Sequence, residues 1–149
     1  MILDKELSTE VTNEDIANGV NDEFGVLYSP DGLRLLSAPE DLVFYNIQEG
    51  TQVICDLAFA TFETEDVDYQ YIIDSGQTVW DFIECTSKLK AISIPNSVVS
   101  IGKNAFGYCE KLKTIFIPSG TRAKFEKFLP EWKEELIELP DGLNLKIVV

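Results

Sequence analysis

The side chains that could take part in catalysis or metal binding in this chain are three cysteines and a large excess of acids. Its 149 residues include 26 Asp and Glu, 12 Lys and Arg, and no histidine. The lack of histidine excludes Ser-His-Asp and Cys-His nucleophile activation, and also histidine metal sites. The acids are too numerous for any pair to be singled out for glycoside chemistry. We therefore expect no enzymatic activity and no cofactor.

The three cysteines, Cys55, Cys85 and Cys109, allow two interpretations. Cys85 and Cys109 fall at equivalent positions of an internal repeat, so stacked strands would place them about 5 Å apart. That distance would suit a redox pair or a soft-metal site. Cysteine is also one of the most buried residue types and packs as a small apolar side chain. We favour the second interpretation for all three and expect no metal ion.

The acidic run at 63–68 is the remaining candidate for cation binding. A calcium loop of the EF-hand type needs glycine at its sixth position, and counted from Asp66 that position is Tyr71. We therefore interpret the run as a solvated surface insertion.

The formal charge of −14 is unevenly distributed, since 19 of the 26 acids but 4 of the 12 bases lie within residues 1–100. Such a field repels phosphate backbones and anionic lipids, so we expect no nucleic-acid partner and no membrane insertion. No stretch approaches the roughly 18 apolar residues of a transmembrane helix, and the first residues do not resemble a secretory signal. With an odd number of cysteines, these features predict a cytoplasmic protein, or a secreted or cell-surface one if the N-terminus is processed.

An internal repeat sets the architecture that must position these side chains. After 23 positions, Leu89, Ile92, Ile94 and Pro95 recur as Leu112, Ile115, Ile117 and Pro118. An earlier copy lies 47 positions upstream, where Leu42, Tyr45, Ile47, Ile54, Ala58 and Phe59 match Leu89, Ile92, Ile94, Ile101, Ala105 and Phe106. We interpret 47 as two periods plus one residue. A degenerate repeat would then occupy about 60–86, with its strand on Tyr71 and Ile73 or on Gln70 and Ile72. A fixed period between about 20 and 50 residues is typical of a solenoid, in which each unit buries its apolar side against its neighbours.

Each unit predicts a short strand, a turn and a compact return. In Leu-x-x-Ile-x-Ile-Pro, alternate residues point inward, and the proline ends the strand because it has no N–H to donate. The following Val-x-x-Ile-Gly turns the chain. Ala-Phe then begins a helical or irregular return whose phenylalanine fills the interior.

The N-terminal part is predicted to differ from the repeats. Residues 1–23 form an acidic leader that is either loosely ordered or contains a short helix capped by Ser8 or Thr12. Residues 24–149 form a single domain. It opens with a hairpin whose turn is at 29–32, where Pro and Gly supply the turn dihedrals.

The C-terminal part predicts a helical cap. Repeats occupy about 42–118 and the cap about 119–149. Thr121 is the expected N-cap of a first helix, and Pro130 ends that helix or opens a second. The second helix carries Trp132, Leu136 and Ile137. Leu143, Leu145 and Ile147 then alternate as in a closing strand.

The residues between the inward positions of each strand form an exposed face. In the three readable repeats these are Asn46, Ser93 and Phe116, while Thr114 precedes the last inward pair and Lys113 lies one residue further back. Phe116 in a row of small or polar side chains is typical of an interface anchor, since aromatic residues dominate binding hot spots. The alternative is that the C-terminal helices or tail cover it. We take these five residues as the candidate protein-binding site.

Residues 92–112 read Ile-Ser-Ile-Pro-Asn-Ser-Val-Val-Ser-Ile-Gly-Lys-Asn-Ala-Phe-Gly-Tyr-Cys-Glu-Lys-Leu. This stretch resembles the BspA-like leucine-rich repeats of many bacterial proteins almost position for position, and residues 28–32 and 118–121 also look like features of that family. The resemblance covers about residues 24–137. It implies an α/β solenoid, a short right-handed leucine-rich repeat stack with a narrow parallel sheet on one side. It also implies a non-enzymatic role in protein binding, often adhesion to host proteins or other cells.

The expected function is that of a non-catalytic protein-binding module that uses its strand face. One alternative is an acidic immunity- or inhibitor-type partner of a basic protein, suggested by the small size and the charge of −14. Another is a fragment of a cell-surface adhesin. The partner's identity is open, and a homodimer through the strand face or through the end strand at 143–147 is a further expectation.

Overall fold

The computed structural model of the chain describes residues 7–64, 69–76 and 83–140. The strands are β1 (Val20–Asn21), β2 (Leu27–Tyr28), β3 (Arg34–Ser37), β4 (Phe44–Asn46), β5 (Val53–Ile54), β6 (Phe62–Thr64), β7 (Ile83–Cys85), β8 (Ala91–Ser93), β9 (Ser100–Ile101), β10 (Thr114–Ile117) and β11 (Leu136–Glu138). The helices are α1 (Asn13–Asn18), α2 (Tyr69–Ser75) and α3 (Arg122–Phe128), and a 3₁₀ helix follows over Pro130–Glu135. Within these ranges no helix is long and apolar enough to cross a membrane.

Four parallel strands form the side of the molecule that the repeat predicts. β4, β8, β10 and β11 lie side by side in that order. Tyr45 lies opposite Ile92, and Ile92 lies opposite Ile115. The positions predicted to point inward are all buried: Leu42, Leu89, Leu112, Tyr45, Ile92, Ile115, Ile47, Ile94 and Ile117. Burial of such side chains contributes about 1.5–3 kcal/mol each relative to exposure, so these rows are the main source of the stack's stability.

A second sheet shares the core with the first and begins with the predicted hairpin. β1, β2 and β3 are antiparallel, and β5 and β9 continue the sheet in parallel. In the hairpin turn the Gly32 N–H donates to the Ser29 carbonyl at 2.8 Å, and the Ser29 hydroxyl donates to Asp31 at 2.7 Å. Gly32 has a φ of +75°, which glycine adopts without a steric penalty. The hairpin predicted at 29–32 is confirmed.

Aromatic rings stack from repeat to repeat in the return segments. The rings of Phe59 and Phe106 are nearly parallel (12°), with centroids 5.0 Å apart. Trp132 of the C-terminal cap packs edge-on against Phe106 at 6.4 Å, and Tyr45 lies 6.3 Å from Phe59 on the other side. Both phenylalanines are buried, so the prediction that this position fills the interior is confirmed.

The segment between the first two repeats is an insertion and not a degenerate repeat. β4 pairs directly with β8, and no strand of the described residues lies between them. Instead β6 and β7 form an antiparallel hairpin in which Phe62 lies opposite Cys85. The spacing of 47 is therefore one step between neighbouring strands plus an insertion, and the two-period interpretation is wrong. A hairpin brings the chain back to its starting point, and loop closure adds little cost with length, so the stack accommodates the insertion.

The strand predicted on Tyr71 and Ile73, or on Gln70 and Ile72, is also wrong. These residues belong to α2. Gln70 donates to the Asp74 carboxylate one helical turn later, at 3.0 Å. Such i,i+4 pairs stabilise a helix locally, and here the local preference wins over the alternating pattern.

The leader contains the capped helix that was one of its two predicted forms. The Thr12 hydroxyl accepts from the Asp15 N–H at 3.0 Å, and the Asp15 carboxylate accepts from the Thr12 N–H at 2.9 Å. Asp15 also binds the Arg34 guanidinium of β3 at 2.9 Å. Arg34 donates further to the carbonyls of Ser8 and Glu10, at 2.9 and 2.6 Å. The leader is therefore tied to the hairpin by charge-assisted hydrogen bonds.

Apolar contacts add to this attachment. Leu7 and Val11 pack against a small cluster formed by Leu36, Val53 and Cys55. The Thr9 carbonyl accepts from the Asp56 N–H at 2.8 Å. Residues 1–6 lie outside the described part of the chain.

The C-terminal end of the stack is covered by α3 and the 3₁₀ helix. Thr121 is the N-cap residue of α3, as predicted, but its hydroxyl donates to the Pro118 carbonyl at 2.6 Å and does not cap the helix. Pro130 opens the 3₁₀ helix, where its missing N–H costs nothing. Lys124 donates to the Asn96 carbonyl at 2.7 Å, which ties the cap to the preceding repeat.

The placement of Leu136 and Ile137 on a second helix is wrong. Both belong to β11, which pairs in parallel with β10. Pairing satisfies the backbone groups at this edge of β10 and buries Leu136. The closing strand predicted at 143–147 lies outside the described residues.

Candidate functional site

The outward side chains of the first sheet form two rows, which together we call the strand face. One row consists of Asn46, Ser93, Phe116 and Ile137, which lie opposite one another on adjacent strands. The other consists of Phe44, Ala91 and Thr114. Three of the five candidate residues thus share the first row and Thr114 lies in the second. Lys113 is exposed immediately before β10.

The first row changes from polar to apolar along its length. At one end the Ser93 hydroxyl donates to Asn46 Oδ1 at 2.8 Å. Phe116 is half-buried in the middle, and Ile137 is 45% exposed at the other end. β11 flanks Phe116 in the plane of the sheet, so this part of the C-terminal segment extends the row and does not fold over it.

A groove of about 860 Å³ opens over the first row, near the ends of the strands. Its lining includes Asn46, Ser93 and Phe116 of the row. It also includes the loop at 22–24, the turn residues Gln48 and Glu49, and Pro118 and Leu139. Thr114 and Lys113 do not line it, because they lie at the opposite end of the strands. The volume falls within the range of about 300–1,000 Å³ that is common for ligand sites.

The loop that walls the groove is held by Asp22. One carboxylate oxygen accepts from the N–H groups of Phe24 and Val26, both at 2.9 Å. The other accepts from the buried Tyr45 hydroxyl at 2.6 Å. These bonds present Phe24 to the groove, where it is 42% exposed and packs at 6.0 Å against Tyr45. Phe24 therefore stands in a fixed position beside the row.

The electrostatics of this network favour binding over proton transfer. Burial, with the bond to Asp22, raises the pKa of Tyr45, and burial raises the pKa of Tyr28, whose hydroxyl lies 2.6 Å from that of Tyr45. Both phenols therefore stay neutral near neutral pH. The carboxylate of Asp22 is already occupied by three donors. The groove thus offers hydrogen-bonding, apolar and negatively charged surface, with no activated nucleophile among its described lining residues.

Sequence patterns did not reveal the loop at 22–24 as part of the site, since Asp22 and Glu23 were assigned to the leader and Phe24 to the start of the hairpin. Its attachment depends on Tyr45, which is 23 positions away along the chain. A local signal was available, because Asp22 followed by Gly25 is typical of a turn closed by an Asp side chain. Gly25 indeed has a φ of +87°.

The cysteines are all free thiols. Burial raises the pKa of Cys55 and of Cys109 to about 11, so both are protonated and poor nucleophiles or metal ligands at neutral pH. Cys85 lies in β7 of the inserted hairpin. The premise that Cys85 occupies a repeat position equivalent to that of Cys109 is therefore wrong, although the two thiols lie near enough for Cys85 to contribute to the raised pKa of Cys109. The apolar-filler interpretation fits the two buried thiols, Cys55 and Cys109.

The acidic run at 63–68 belongs in part to β6, and residues 65–68 lie outside the described part. Across the described ranges no three His, Cys, Asp or Glu side chains are grouped so that they could hold a metal ion.

Each repeat consists of a strand, a turn and a segment that leads back to the next strand, and its Leu and Ile side chains point inward. This arrangement defines a leucine-rich repeat protein. A family model described as "BspA type Leucine rich repeat region (6 copies)" matches residues 39–144, and the chain belongs to this family. The resemblance seen in residues 92–112 is confirmed. Leucine-rich repeat proteins typically mediate protein interactions and are generally non-catalytic. No curated protein and no solved structure matches the chain.

Proposed function

We propose that the protein is a non-catalytic interaction module that binds a protein partner through its strand face, with repeats of about 23 residues wound in a right-handed stack. The observation that carries the proposal is the row of Asn46, Ser93 and Phe116, set in register on adjacent strands beside an open groove. Membership of the BspA-type family supports it.

Rigidity of the row favours specific binding. Each outward residue is flanked by inward neighbours that are buried, as Phe116 is by Ile115 and Ile117. The backbone therefore loses little conformational freedom when a partner docks, which lowers the entropic cost of association. Phe116 is the natural anchor, since aromatic side chains are enriched among the residues that dominate binding energy at protein interfaces, and Ile137 beside it adds exposed apolar surface.

The test is affinity capture from the native lysate with two matched variants. Phe116→Ser introduces the residue that the neighbouring repeat has at the same position, so the stack should tolerate it. Val99→Ser changes a 60% exposed apolar side chain outside the strand face. We expect the wild type and Val99→Ser to capture the same amount of partner. With Phe116→Ser the captured amount should fall at least about tenfold.

Two outcomes would contradict the proposal. One is a partner that Phe116→Ser retains fully, and the other is equal loss with both variants. If the partner is a second copy of the chain, analytical ultracentrifugation should show a dimer that Phe116→Ser dissociates.

A further inference from the structure

The groove beside the strand face carries unbalanced negative charge. Three acids line it, Asp22, Glu23 and Glu49, and its described lining includes no lysine or arginine. The lysines nearest to the strand face in sequence, Lys90 and Lys113, precede β8 and β10 and lie at the other end of the strands. The three acids therefore dominate the field among the lining residues, and Lys124 lies at the edge, where it donates to Asn96 beside the lining residue Pro95.

Two of these acids are available to a ligand. Asp22 already accepts three hydrogen bonds that hold the wall loop. By contrast, Glu23 and Glu49 are exposed, and neither makes a hydrogen bond or ion pair with the described residues. A cation that enters the groove can therefore pair with them without breaking an internal contact.

Apolar surface lies directly beside these carboxylates. Phe24 follows Glu23 in the chain and is 42% exposed, and Phe116 contributes to the same groove. An aromatic ring next to a carboxylate accommodates both the aliphatic stem and the charged head of Lys or Arg, through apolar contact and cation–π attraction. Phosphate-bearing or acidic ligands would be repelled by the same arrangement.

We propose that this groove takes a cationic peptide segment of the partner, in which Lys or Arg is adjacent to a large apolar side chain. The basic group pairs with Glu23 and Glu49, and the apolar side chain packs on Phe24 and Phe116. This proposal rests on the proposed function, because it specifies the chemistry of the segment that the strand face recognises.

The experiment uses a phage-displayed library of random heptapeptides, selected on the immobilised full-length chain. Enriched peptides are synthesised with a fluorescent label and titrated by anisotropy against the wild type and three variants. Glu23→Gln/Glu49→Gln removes the two available acids of the groove. Glu14→Gln/Glu110→Gln removes the same total charge from exposed acids elsewhere. Phe116→Ser tests the strand face.

We expect enrichment of Lys or Arg beside Phe, Trp or Leu. The affinity of these peptides should fall about tenfold or more with Glu23→Gln/Glu49→Gln, and also when NaCl is raised from about 0.05 to about 0.5 M. The control pair should change it less than about twofold, since long-range effects of exposed charges are screened.

The outcomes separate the two proposals. Peptides that need Phe116 but carry no basic residue, or that lose as much affinity with the control pair, overturn the cationic segment and leave the strand face as the binding surface. Peptides indifferent to Phe116 and to both acid pairs overturn both proposals. Failure to enrich any peptide that depends on Glu23 and Glu49 also overturns the cationic segment.

Discussion

The hydroxyl of Tyr45 lies 2.6 Å from the carboxylate of Asp22, and this bond joins an inward position of the repeat to the loop that walls the groove. Because Tyr45 gives its only hydroxyl proton to Asp22, Tyr28 must donate to Tyr45, at 2.6 Å. The Gln48 N–H in turn approaches the Tyr28 oxygen at 3.4 Å. The other repeats have isoleucine at the Tyr45 position. In the first repeat, Tyr45 thus takes the place of an aliphatic side chain and holds the loop at 22–24 through its hydrogen bond to Asp22.

Tyr45→Phe tests this anchor. It leaves the ring in the core but deprives Asp22 of a donor and Tyr28 of an acceptor, and a hydrogen bond to a charged group is worth about 1.5–3 kcal/mol. We expect the free energy of unfolding in urea, followed by circular dichroism, to fall by about 2 kcal/mol. Tyr28→Phe is the matched control and should cost less, since the bond from Tyr45 to Asp22 remains. The reverse order would show that the anchor is not this bond.

The same two tyrosines predict a loss of stability at alkaline pH. Burial raises the pKa of Tyr28 and of Tyr45 above the ordinary value of 10.0. Above pH 10 the unfolded chain ionises its tyrosines while the folded chain keeps these two protonated, so the free energy of the unfolded state falls relative to that of the native state. These tyrosines should leave stability unchanged below pH 10 and lower it above pH 10, in addition to a decline that starts near pH 9, where unfolding lets the Cys55 and Cys109 thiols ionise. Ultraviolet absorbance of tyrosinate should show that Tyr28 and Tyr45 ionise only on unfolding, and Tyr28→Phe/Tyr45→Phe should reduce the decline above pH 10 but not the part between pH 9 and 10.

Asp15→Asn predicts an effect at the acid end. The hydrogen bonds from Arg34 and Thr12 lower the pKa of the Asp15 carboxyl from 3.8 to about 2. The ion pair therefore stabilises the fold fully above pH 3.8, and this contribution is lost as the pH falls through about 2. Because the pair is partly exposed, we expect Asp15→Asn to cost about 1 kcal/mol at neutral pH and nothing below the lowered pKa. Glu14→Gln, on the same helical turn, is the matched control, because Glu14 is exposed and makes no ion pair with Arg34, and it should leave the free energy of unfolding at neutral pH unchanged.

The repeat made most of the core and one row of the site predictable from sequence. Inward positions such as Ile92 and Ile115 follow from a period of two within each strand and a fixed spacing between strands. The same reasoning places Asn46, Ser93 and Phe116 outward. Neither inference needs any knowledge of contacts between distant parts of the chain.

The errors occurred where distant contacts decide the structure. Leu136 and Ile137 fit a helix pattern after Trp132, but they form a strand because their backbone pairs with the edge of β10. Likewise, a spacing of 47 is compatible with two repeats or with one repeat and an insertion, and periodicity cannot distinguish them. The turn at Asp22 and Gly25 has a local signal, but its place as a wall of the groove was not predictable, because that place depends on the hydrogen bond from Tyr45 to Asp22.

Leu57 and Asn104 predict a reciprocal pair of stability changes. They occupy equivalent repeat positions, 47 residues apart, and both adopt positive φ, +57° and +51°. Asn tolerates this conformation better than a branched apolar residue, and Leu57 is 45% exposed, so it contributes little packing. We expect Leu57→Asn to stabilise the protein by about 0.5–1 kcal/mol and Asn104→Leu to destabilise it by a similar amount. Thermal and urea unfolding would measure both, and two changes of the same sign would contradict the prediction.

Removal of the insertion tests the corrected repeat count. Phe62 lies opposite Cys85 in the antiparallel hairpin, so an Asn-Gly turn can replace residues 63–84 and join the two strands directly. Because β4 already pairs with β8, the shortened chain should keep the stack, with a cooperative transition and a free energy of unfolding within about 1 kcal/mol of the wild type.

Ile94→Asp is the control that shows how the chain behaves in the same assay when the repeat stack is unfolded. Ile94 is buried in the core, and an unpaired buried charge costs several kcal/mol against a total stability of about 5–15 kcal/mol. If the shortened chain behaves like Ile94→Asp, residues 63–84 carry part of the stack and the segment is a repeat after all. If it unfolds cooperatively and still loses its partner with Phe116→Ser, the insertion is dispensable for both the fold and the strand face.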